Sequence, residues 1–434
     1  MNLRLSPAVF YRQYGENVIL FQTQNKRVLV LNAGSKAILD CFQDWTDEEN
    51  YINNLRQEYQ IGDAQKEVLV SFIRKMVEDG ILEEENILSE KKDGAEIWFQ
   101  NELLPRNQLY SVQFELTFRC NERCRHCYCV TEPQRQELTL AEIKRILDDL
   151  YDMNVFEITF TGGDLFVRKD AFEILRYANQ KRFLINIFTN GIALSDSDIF
   201  ALKELNLKSI HFSIYSHIPE KHDAFTQVKG SFAKTTDVIK KCVLIGIPVN
   251  IKSCILDYNM AEIGDILQLA KDLGTTVQVS MAVNAKNDGD LSPTSFRLKK
   301  IEDYVAVMKV VNSNMEIHCS NDYKQLRPDS GAICGAGRKS LNINPYGDVY
   351  ACNSLLMLCG NVREQSVRDI WEKSEVLKQI RSFTFNQIKG CEGCAQLQYC
   401  NFCPGSAYTE TGDPLRRYEE ACILTEAKKL SNQE

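Results

Sequence analysis

The first 85 residues alternate between short apolar runs and amphipathic stretches. "NVILFQTQNKRVLVLN" predicts two strands, Val18–Gln22 and Arg27–Leu31, separated by the turn-prone "TQNK". "AGSKAILDCF" has the apolar spacing of a short helix, for which Ser35 is the expected N-cap. "EENYINNLRQEY" and "KEVLVSFIRKMVEDGIL" predict two further amphipathic helices, the second ending at Gly80. Strands followed by three helices are the outline of a winged-helix-like unit over residues 1–85, and the charged, polar stretch after it predicts a linker over 86–109.

The pattern changes at about residue 110, where apolar strands begin to alternate with amphipathic helices. Six strand-like runs occur up to residue 290, namely "SVQFELTF", "VFEITFTGGD", "FLINIFTNG", "LKSIHFSIYS", "PVNIKSCIL" and "TTVQVSMAV". The helix between the first two, "TLAEIKRILDDLYDM", has a capping-box pair in Thr139 and Glu142. Strand–helix alternation with short links predicts a parallel α/β sheet, either open or closed into a barrel. Ligands of such sheets bind at the C-terminal ends of the strands.

Charge and composition exclude several classes of protein. A net charge of −8 and a pI near 5.4 argue against a general nucleic-acid binder. There is no run of 18 apolar residues and no signal-peptide pattern, so we expect no membrane partner and a cytoplasmic location.

The chain has sixteen cysteines. A disulfide framework is not expected in a compartment that keeps thiols reduced. Cys41, Cys242 and Cys254 stand alone, and we interpret each as a small buried hydrophobe. The other thirteen lie within 120–129 and 319–422. Such clustering is typical of metal sites.

"CNERCRHCYC" at 120–129 follows directly after the first strand of the alternating region. Taken alone, it is compatible with zinc, a redox disulfide or an iron–sulfur cluster. Cys120, Cys124 and Cys127 form a C-x3-C-x2-C loop, and three thiolates leave one iron of a four-iron cluster free for an outside ligand. A structural zinc site would need a fourth protein ligand, for which Cys129 or His126 is the alternative. We favour the iron–sulfur cluster.

The loop, its place after the first strand and the aromatic Tyr128 resemble the radical SAM superfamily, over residues 110–310. The resemblance implies a partial (β/α)6 barrel. It also implies a cluster on Cys120, Cys124 and Cys127 that binds S-adenosylmethionine and yields a 5′-deoxyadenosyl radical from it. Three further segments match weaker motifs of the superfamily: "TGGD", "FTNG" and "FSIYS". On that basis the implied S-adenosylmethionine contacts are Tyr128, Gly162, Gly163, Asp164, Asn190 and Ser213, with Asp164 in place of the commoner glutamate.

The second cysteine field, within residues 311–434, resembles the SPASM extension of radical SAM peptide-modifying enzymes. Cys334, Gly347 and Cys352 match its first unit, and a C-x2-C-x5-C-x2-C unit with a final cysteine matches the rest, one residue short of the family's C-x3-C. The resemblance implies an inner auxiliary cluster on Cys334, Cys352 and Cys403, and an outer one on Cys391, Cys394, Cys400 and Cys422. Either Cys319 or Cys359 completes the inner cluster, or that cluster is open to a substrate thiolate. A pair of zinc sites is the alternative.

Residues 1–85 resemble the PqqD-like recognition element of ribosomal peptide maturases. Such elements add a leader peptide as a strand to an exposed sheet edge. Here we expect that edge near Arg27–Leu31, with the helix around Val68–Val77 as the other wall.

Together these resemblances imply a maturase that crosslinks a ribosomally made precursor peptide. The preferred type of crosslink is a cysteine-to-carbon thioether. The alternatives are a C–C or C–N crosslink, a sulfatase-type maturase, or a zinc scaffold without activity. The implied cofactors are S-adenosylmethionine and three [4Fe–4S] clusters. The implied partners are the precursor, bound through residues 1–85, and a flavodoxin- or ferredoxin-type electron donor.

Overall fold

The computed structural model describes residues 2–22, 27–43, 45–59, 62–84, 107–205, 207–314 and 331–431. The chain forms two compact units. The first is Met1–Gln108 with Arg182–Leu184, and the second is Leu109–Lys181 with Ile185–Glu434. Most of the predicted linker and Cys319 lie outside the described residues.

The first unit contains two small antiparallel sheets of three strands each. One has the order β2-β3-β4 and the other the order β5-β1-β6. The strands are β1 Asn2–Leu5, β2 Val9–Tyr14, β3 Asn17–Gln22, β4 Arg27–Asn32, β5 Thr46–Asp47 and β6 Leu82–Glu84. Strands β3 and β4 were predicted, and they pair from Asn17↔Asn32 to Gln22↔Arg27. Among the described strands, β4 is the last of its sheet and pairs with β3 alone.

Three helices complete this unit, at the predicted places. They are α1 Gly34–Cys41, α2 Glu48–Tyr59 and α3 Asp63–Glu78, after which Gly80 takes a positive φ of 68°. The prediction of Ser35 as N-cap is wrong, because Ser35 lies inside the first turn of α1. The side-chain oxygen of Asn32 instead accepts hydrogen bonds from the backbone N–H and hydroxyl of Ser35. Cys41 is exposed at the end of α1, so its expected burial is also wrong.

The second unit is built on a sheet that contains six predicted parallel strands. They are β7 Ser111–Thr117, β8 Glu157–Gly162, β9 Leu184–Thr189, β10 Leu207–Ser213, β11 Val249–Cys254 and β12 Thr276–Ser280. They lie side by side in chain order, which is the arrangement of the predicted α/β fold. All six therefore bring their C-terminal ends to the same edge of the sheet.

Amphipathic helices connect these strands and bury their apolar faces. They are α4 Leu140–Asp152, α5 Ala171–Gln180, α6 Asp196–Lys203, α7 Pro219–Thr226, α8 Ser231–Leu244, α9 Ile263–Asp272 and α10 Ile301–Asn314. The capping box on α4 is confirmed. The Thr139 side chain accepts from the backbone N–H of Glu142, and the Glu142 side chain accepts from the backbone N–H of Thr139. Cys242 of α8 is fully buried, as expected for a packing thiol.

The C-terminal part of the chain extends the same sheet. Strand β13 Ser340–Ile343 pairs parallel with β7, and β14 Asp348–Tyr350 and β15 Gly360–Asn361 follow antiparallel. Four helices complete it: α11 Val367–Lys373, α12 Glu375–Arg381, α13 Pro404–Thr411 and α14 Glu419–Ser431. Pairing of β13 with β7 places this part beside the strand that leads into the first cysteine loop. Among the described residues, no helix combines the length and the apolar content that crossing a bilayer would require.

Candidate active site

The first cysteine loop lies at the C-terminal edge of the sheet, on the wall of a cavity of about 330 Å³. Cys120, Cys124 and Cys127 all line this cavity. Two backbone hydrogen bonds fix the loop to the end of α7, from Arg123 N to Thr226 O at 2.9 Å and from Arg125 N to Phe225 O at 3.2 Å. The loop therefore has a defined position over the strand ends.

The three thiols are close enough to affect one another electrostatically. Burial raises the pKa of Cys120 to about 11, and the neighbouring Cys127 acts in the same direction. Burial also raises the pKa of Cys124, with Cys127 and Cys120 contributing. Cys127 differs, since a hydrogen bond with Cys129 lowers its pKa to about 7. Three neighbouring thiols on one short loop fit the donor set of a cluster with one open iron.

Two N–H groups donate hydrogen bonds to the sulfur of Cys120. The backbone N–H of Glu122 lies 3.4 Å from it, and the side-chain amide of Asn190 lies 3.6 Å away. The same Asn190 amide donates to Asn121 at 2.6 Å. Hydrogen bonds to the ligand sulfurs tune the potential of an iron–sulfur cluster, and Asn190 is placed to do this here.

Gly162 and Gly163 line the cavity at the end of β8, where they approach the chain that leads into the cysteine loop. A Cβ on Gly162 would lie 2.1 Å from the carbonyl oxygen of Thr117, and one on Gly163 would lie 2.2 Å from that of Arg119. Gly162 also has a φ of 133°, which side chains rarely adopt. These glycines are required by backbone-to-backbone packing, whatever ligand binds in the cavity.

Asp164 is fully buried and does not line the cavity. Its carboxylate accepts hydrogen bonds from Thr189 Oγ1 at 2.6 Å, from Asn190 N at 2.9 Å and from Phe166 N at 2.9 Å. It acts on the cavity through Asn190, whose position it fixes.

Tyr128 lines the cavity, and its phenol donates a hydrogen bond to Glu115 at 2.7 Å. Glu115 also accepts from the amide of Asn342 on β13, at 2.9 Å. Burial raises the pKa of Glu115 and of Tyr128. The aromatic residue after the third cysteine is thus tied to the strand that begins the C-terminal part.

Ser213 lines the cavity at the end of β10, where it is in register with Lys252 of β11. Lys252 was not predicted as a site residue. It lines the cavity, its ammonium lies 3.8 Å from the centroid of the Phe188 ring, and burial lowers its pKa. Its sequence signal is a lysine within the apolar strand "PVNIKSCIL".

Two further thiols line the cavity, Cys129 and Cys254. The expected full burial of Cys254 is wrong, since it is only partly buried and its sulfur lies 3.7 Å from Ala282 O. Cys129 lies 3.5 Å from the carbonyl oxygen of Gly162.

The predicted inner auxiliary ligands come together from three distant segments. Burial raises the pKa of Cys352 to about 12, and Cys403 and Cys334 are close enough to add to this effect. Cys359 is buried and its thiol donates to Met357 O at 3.3 Å; burial raises its pKa to about 12, and the nearby Cys352 acts in the same direction. Cys334 is exposed, Cys352 and Cys403 are half-buried, and the proximity of these three thiols fits a cluster with Cys359 nearby.

The predicted outer auxiliary ligands also form a group. The pKa of Cys391 is raised to about 11 by burial, with Cys422, Cys400 and Cys394 acting in the same direction. The guanidinium of Arg417 donates to the sulfur of Cys422 at 3.1 Å. All fifteen cysteines that the structure describes are free thiols.

One residue of the C-terminal part reaches the cavity itself. Asn353, which follows Cys352 in the chain, lines it together with Asn284, which follows β12. The cavity is therefore bounded by the first cysteine loop and by the loop of the inner auxiliary thiols. Sequence reasoning missed both asparagines, although the position next to Cys352 was a usable signal.

Comparison with known protein families gives two matches. Residues 114–270 match the radical SAM superfamily, and residues 334–395 match the SPASM iron–sulfur cluster-binding domain. The first range contains the cysteine loop and most of the parallel sheet, and the second contains Cys334 through Cys394.

Similarities to individual proteins are consistent with these two domain matches. The chain is 27% identical over 343 residues to an AdoMet-dependent heme synthase of Methanosarcina barkeri, covering 73% of this chain and 97% of that protein. It is 32% identical over 304 residues to the antilisterial bacteriocin subtilosin biosynthesis protein AlbA of Bacillus subtilis, covering 67% of this chain and 66% of AlbA. Among solved structures, Streptococcus suis SuiB bound to precursor peptide SuiA is similar with a TM-score of 0.63 at 15% identity, over 97% of this chain and 100% of SuiB. This structural similarity extends the shared fold to the N-terminal unit.

Proposed function

Because the chain is a radical S-adenosylmethionine peptide-modifying enzyme with a C-terminal SPASM domain, we propose that it installs an intramolecular crosslink in a ribosomally made precursor peptide. The observation that carries the proposal is the single cavity lined by both the first cysteine loop and Asn353, next to the inner auxiliary thiols. A substrate residue in this cavity would lie between the site of radical formation and a second metal site. AlbA, which is named for subtilosin biosynthesis, and SuiB, which holds a precursor peptide, support a peptide substrate.

The proposed cofactors are S-adenosylmethionine and three [4Fe–4S] clusters. Cys120, Cys124 and Cys127 would hold the first, and the two groups of C-terminal thiols would hold the auxiliary pair. When bound, these groups supply a 5′-deoxyadenosyl radical that abstracts a hydrogen atom and an acceptor for the electron released when the new bond forms.

The chain's own residues orient the reactants. Asp164 fixes Asn190, and Asn190 fixes the cysteine loop through Asn121. Tyr128, Gly162, Gly163 and Ser213 supply the cavity surface that S-adenosylmethionine would contact. Lys252 is a cation on the same surface, and it suits a carboxylate.

A thioether is the proposed bond, because Cys334 and Cys403 are near enough to Cys352 to affect its pKa and a four-iron cluster needs a fourth ligand. The open position would take the thiolate of a substrate cysteine, which activates that sulfur. Cys359, with its sulfur against Met357 O, is the internal alternative for the fourth ligand. Cys319 lies outside the described residues. A C–C or C–N crosslink is the alternative bond, and it does not need a substrate cysteine.

The test is to incubate the reduced enzyme and S-adenosylmethionine with candidate precursor peptides, taken from short reading frames beside its gene. We expect a product lighter by two hydrogen atoms per crosslink, with one hydrogen carried away in 5′-deoxyadenosine. A Cys→Ser precursor should not be crosslinked, whereas an unchanged yield would favour the C–C or C–N alternative. Conversion of a heme precursor with no change in any peptide would contradict the proposal.

The N-terminal unit is the proposed binding site for the leader of the precursor. Edge strand β4 has an outer side without a partner strand among the described residues, and Arg27 at its start lies 3.4 Å from Asp79 after α3. Half-buried apolar side chains lie on both elements, including Leu29, Leu31, Val70 and Val77. A groove of about 610 Å³ runs along α3 and is lined by Val70, Ser71 and the charged side chains of Lys66, Glu67, Arg74, Lys75 and Glu78. A peptide added as a strand to β4 could place its side chains against α3.

Substituting one exposed residue on β4 and one on α3 tests the leader site. Val30 on β4 is 38% exposed, and Ser71 on α3 is exposed and lines the groove, so neither is needed for the core. Burial of one valine side chain contributes about 1.5–3 kcal/mol, and we therefore expect Val30→Asp with Ser71→Asp to weaken leader binding at least about tenfold. Fluorescence anisotropy of a labelled leader measures this change. Leu244→Asp, at an exposed position of the second unit, is the control and should bind the leader normally.

A basic surface on the outer side of the cysteine loop is the proposed docking site for a flavodoxin- or ferredoxin-type donor. Arg119, Arg123, Arg125 and Lys229 are exposed there. Arg123 donates to the carbonyl oxygens of Cys120 and Glu122, both at 2.7 Å. Within the described part of the chain, Arg125 and Lys229 form no ion pair. On a chain of net charge −8, this concentration of cations suits an acidic redox protein.

A further inference from the structure

Asn284 and Asn353 come from different parts of the fold and meet at the wall of the cavity. Asn284 follows strand β12 of the barrel sheet, and Asn353 belongs to the loop after Cys352. Ser354 connects them. The side-chain amide of Asn284 donates to the Ser354 hydroxyl at 2.9 Å, and that hydroxyl donates to the side-chain oxygen Oδ1 of Asn353 at 3.4 Å. The two carboxamides are thus linked in one directed chain of hydrogen bonds.

Two groups take no part in these hydrogen bonds. The amide nitrogen of Asn284 and the side-chain carbonyl oxygen of Asn353 each make one bond, whereas the side-chain carbonyl oxygen of Asn284 and the amide nitrogen of Asn353 make none to Ser354. Among the described residues, neither of these two atoms has a hydrogen-bond partner. A main-chain peptide group offers the complementary N–H and C=O.

The surrounding structure holds both asparagines in place. A Cβ on Gly405 of α13 would lie 2.6 Å from the carbonyl oxygen of Ser354, so helix and loop are in tight contact. On the other side, Arg297 donates to Val283 O at 2.8 Å and pairs with Glu410 of α13 at 2.9 Å. The same helix therefore supports both asparagine-bearing segments.

We propose that Asn284 and Asn353 form a clamp for one main-chain peptide group of the substrate, between the first cysteine loop and the inner auxiliary thiols. This inference rests on the proposed function, since it concerns the peptide to be crosslinked. The clamp contacts the backbone and not a side chain, so it positions the reacting residue whatever the identity of the clamped residue. Its chemistry fits a peptide group, which offers an N–H and a C=O side by side.

The test combines enzyme variants with precursor peptides that carry a single backbone ester. An ester lacks the N–H and has a weaker carbonyl acceptor, so with the wild-type enzyme we expect one ester position to lower the crosslinking rate about tenfold. Asn284→Leu lacks the acceptor, so this variant should crosslink the all-amide peptide about tenfold more slowly than wild type. Placing the ester at the sensitive position should not lower the rate of this variant any further. Asn284→Gln should recover part of the rate.

Three further measurements separate a clamp from a merely structural role. Iron content, visible spectrum and peptide-independent formation of 5′-deoxyadenosine should match wild type in Asn284→Leu and Asn353→Leu, whereas the number of crosslinks per 5′-deoxyadenosine should fall. Ester effects of equal size in wild type and both variants at every position would overturn the clamp. A precursor that the wild type leaves unmodified would instead overturn the proposed function.

Discussion

Replacing Cys120, Cys124 and Cys127 together by alanine should abolish cleavage of S-adenosylmethionine and lower the iron content from about twelve to about eight atoms per chain. The three thiols line one cavity and affect one another electrostatically, so they are expected to act as one site. The C-terminal thiol groups belong to other segments and should keep their iron. Iron, sulfide and 5′-deoxyadenosine measured on anaerobically purified protein give the result.

The matched control is Cys242→Ala, which removes a thiol that is fully buried in α8 and away from the cavity lining. It should retain all the iron and the cleavage activity at some cost in stability. Far-ultraviolet circular dichroism of both variants excludes unfolding as the cause. Zinc in place of iron, or unchanged cleavage in the triple variant, would contradict the assignment of this loop.

The fold of the barrel region was predictable because its sequence is locally consistent. Each parallel strand is a short apolar run and each helix has an apolar stripe, and the capping box on α4 marks a helix start without tertiary information. The first unit was harder. Strands β1 and β2 were missed, since Val9–Tyr14 is buried at five of its six positions and shows no alternation.

The site was predictable as a set of motifs, and less so as a set of contacts. Spacing indicated the cysteines, but it could not indicate that Asp164 turns toward Thr189 and Asn190 instead of the cavity. Lys252 and Asn353 carry no motif. They reach the cavity through the register of β11 and the loop after Cys352, both set by contacts far apart in sequence.

The glycines show the same distinction. The family resemblance implied that Gly162 and Gly163 contact S-adenosylmethionine, and the structure shows that a Cβ on either would first meet the carbonyl groups of residues 117–119. A glycine motif after a strand indicates that something approaches closely. Only the three-dimensional structure identifies the approaching group as the chain that precedes Cys120.

Gly163→Ala should therefore disrupt the cysteine loop. The new Cβ would lie 2.2 Å from Arg119 O and 2.7 Å from Phe118 O, which are backbone atoms and cannot move aside independently. Relief requires separation of β8 from the loop, and this breaks the hydrogen bonds from Gly163 N to Thr117 O and from Asp164 N to Arg119 O. Overpacking of this kind costs about 1–3 kcal/mol.

We expect Gly163→Ala to lower the melting temperature, to lose iron from the first site and to weaken S-adenosylmethionine binding at least about tenfold, as measured by calorimetry. Gly264→Ala on α9 is the matched control, because a Cβ there meets no atom within 4 Å. Since alanine favours helix over glycine by up to about 1 kcal/mol, that variant should be as stable as wild type or slightly more stable. Equal melting temperatures and equal S-adenosylmethionine affinities for the two variants would show that the loop tolerates the added methyl group, and the backbone contact at Gly163 would not be what holds Cys120 in place.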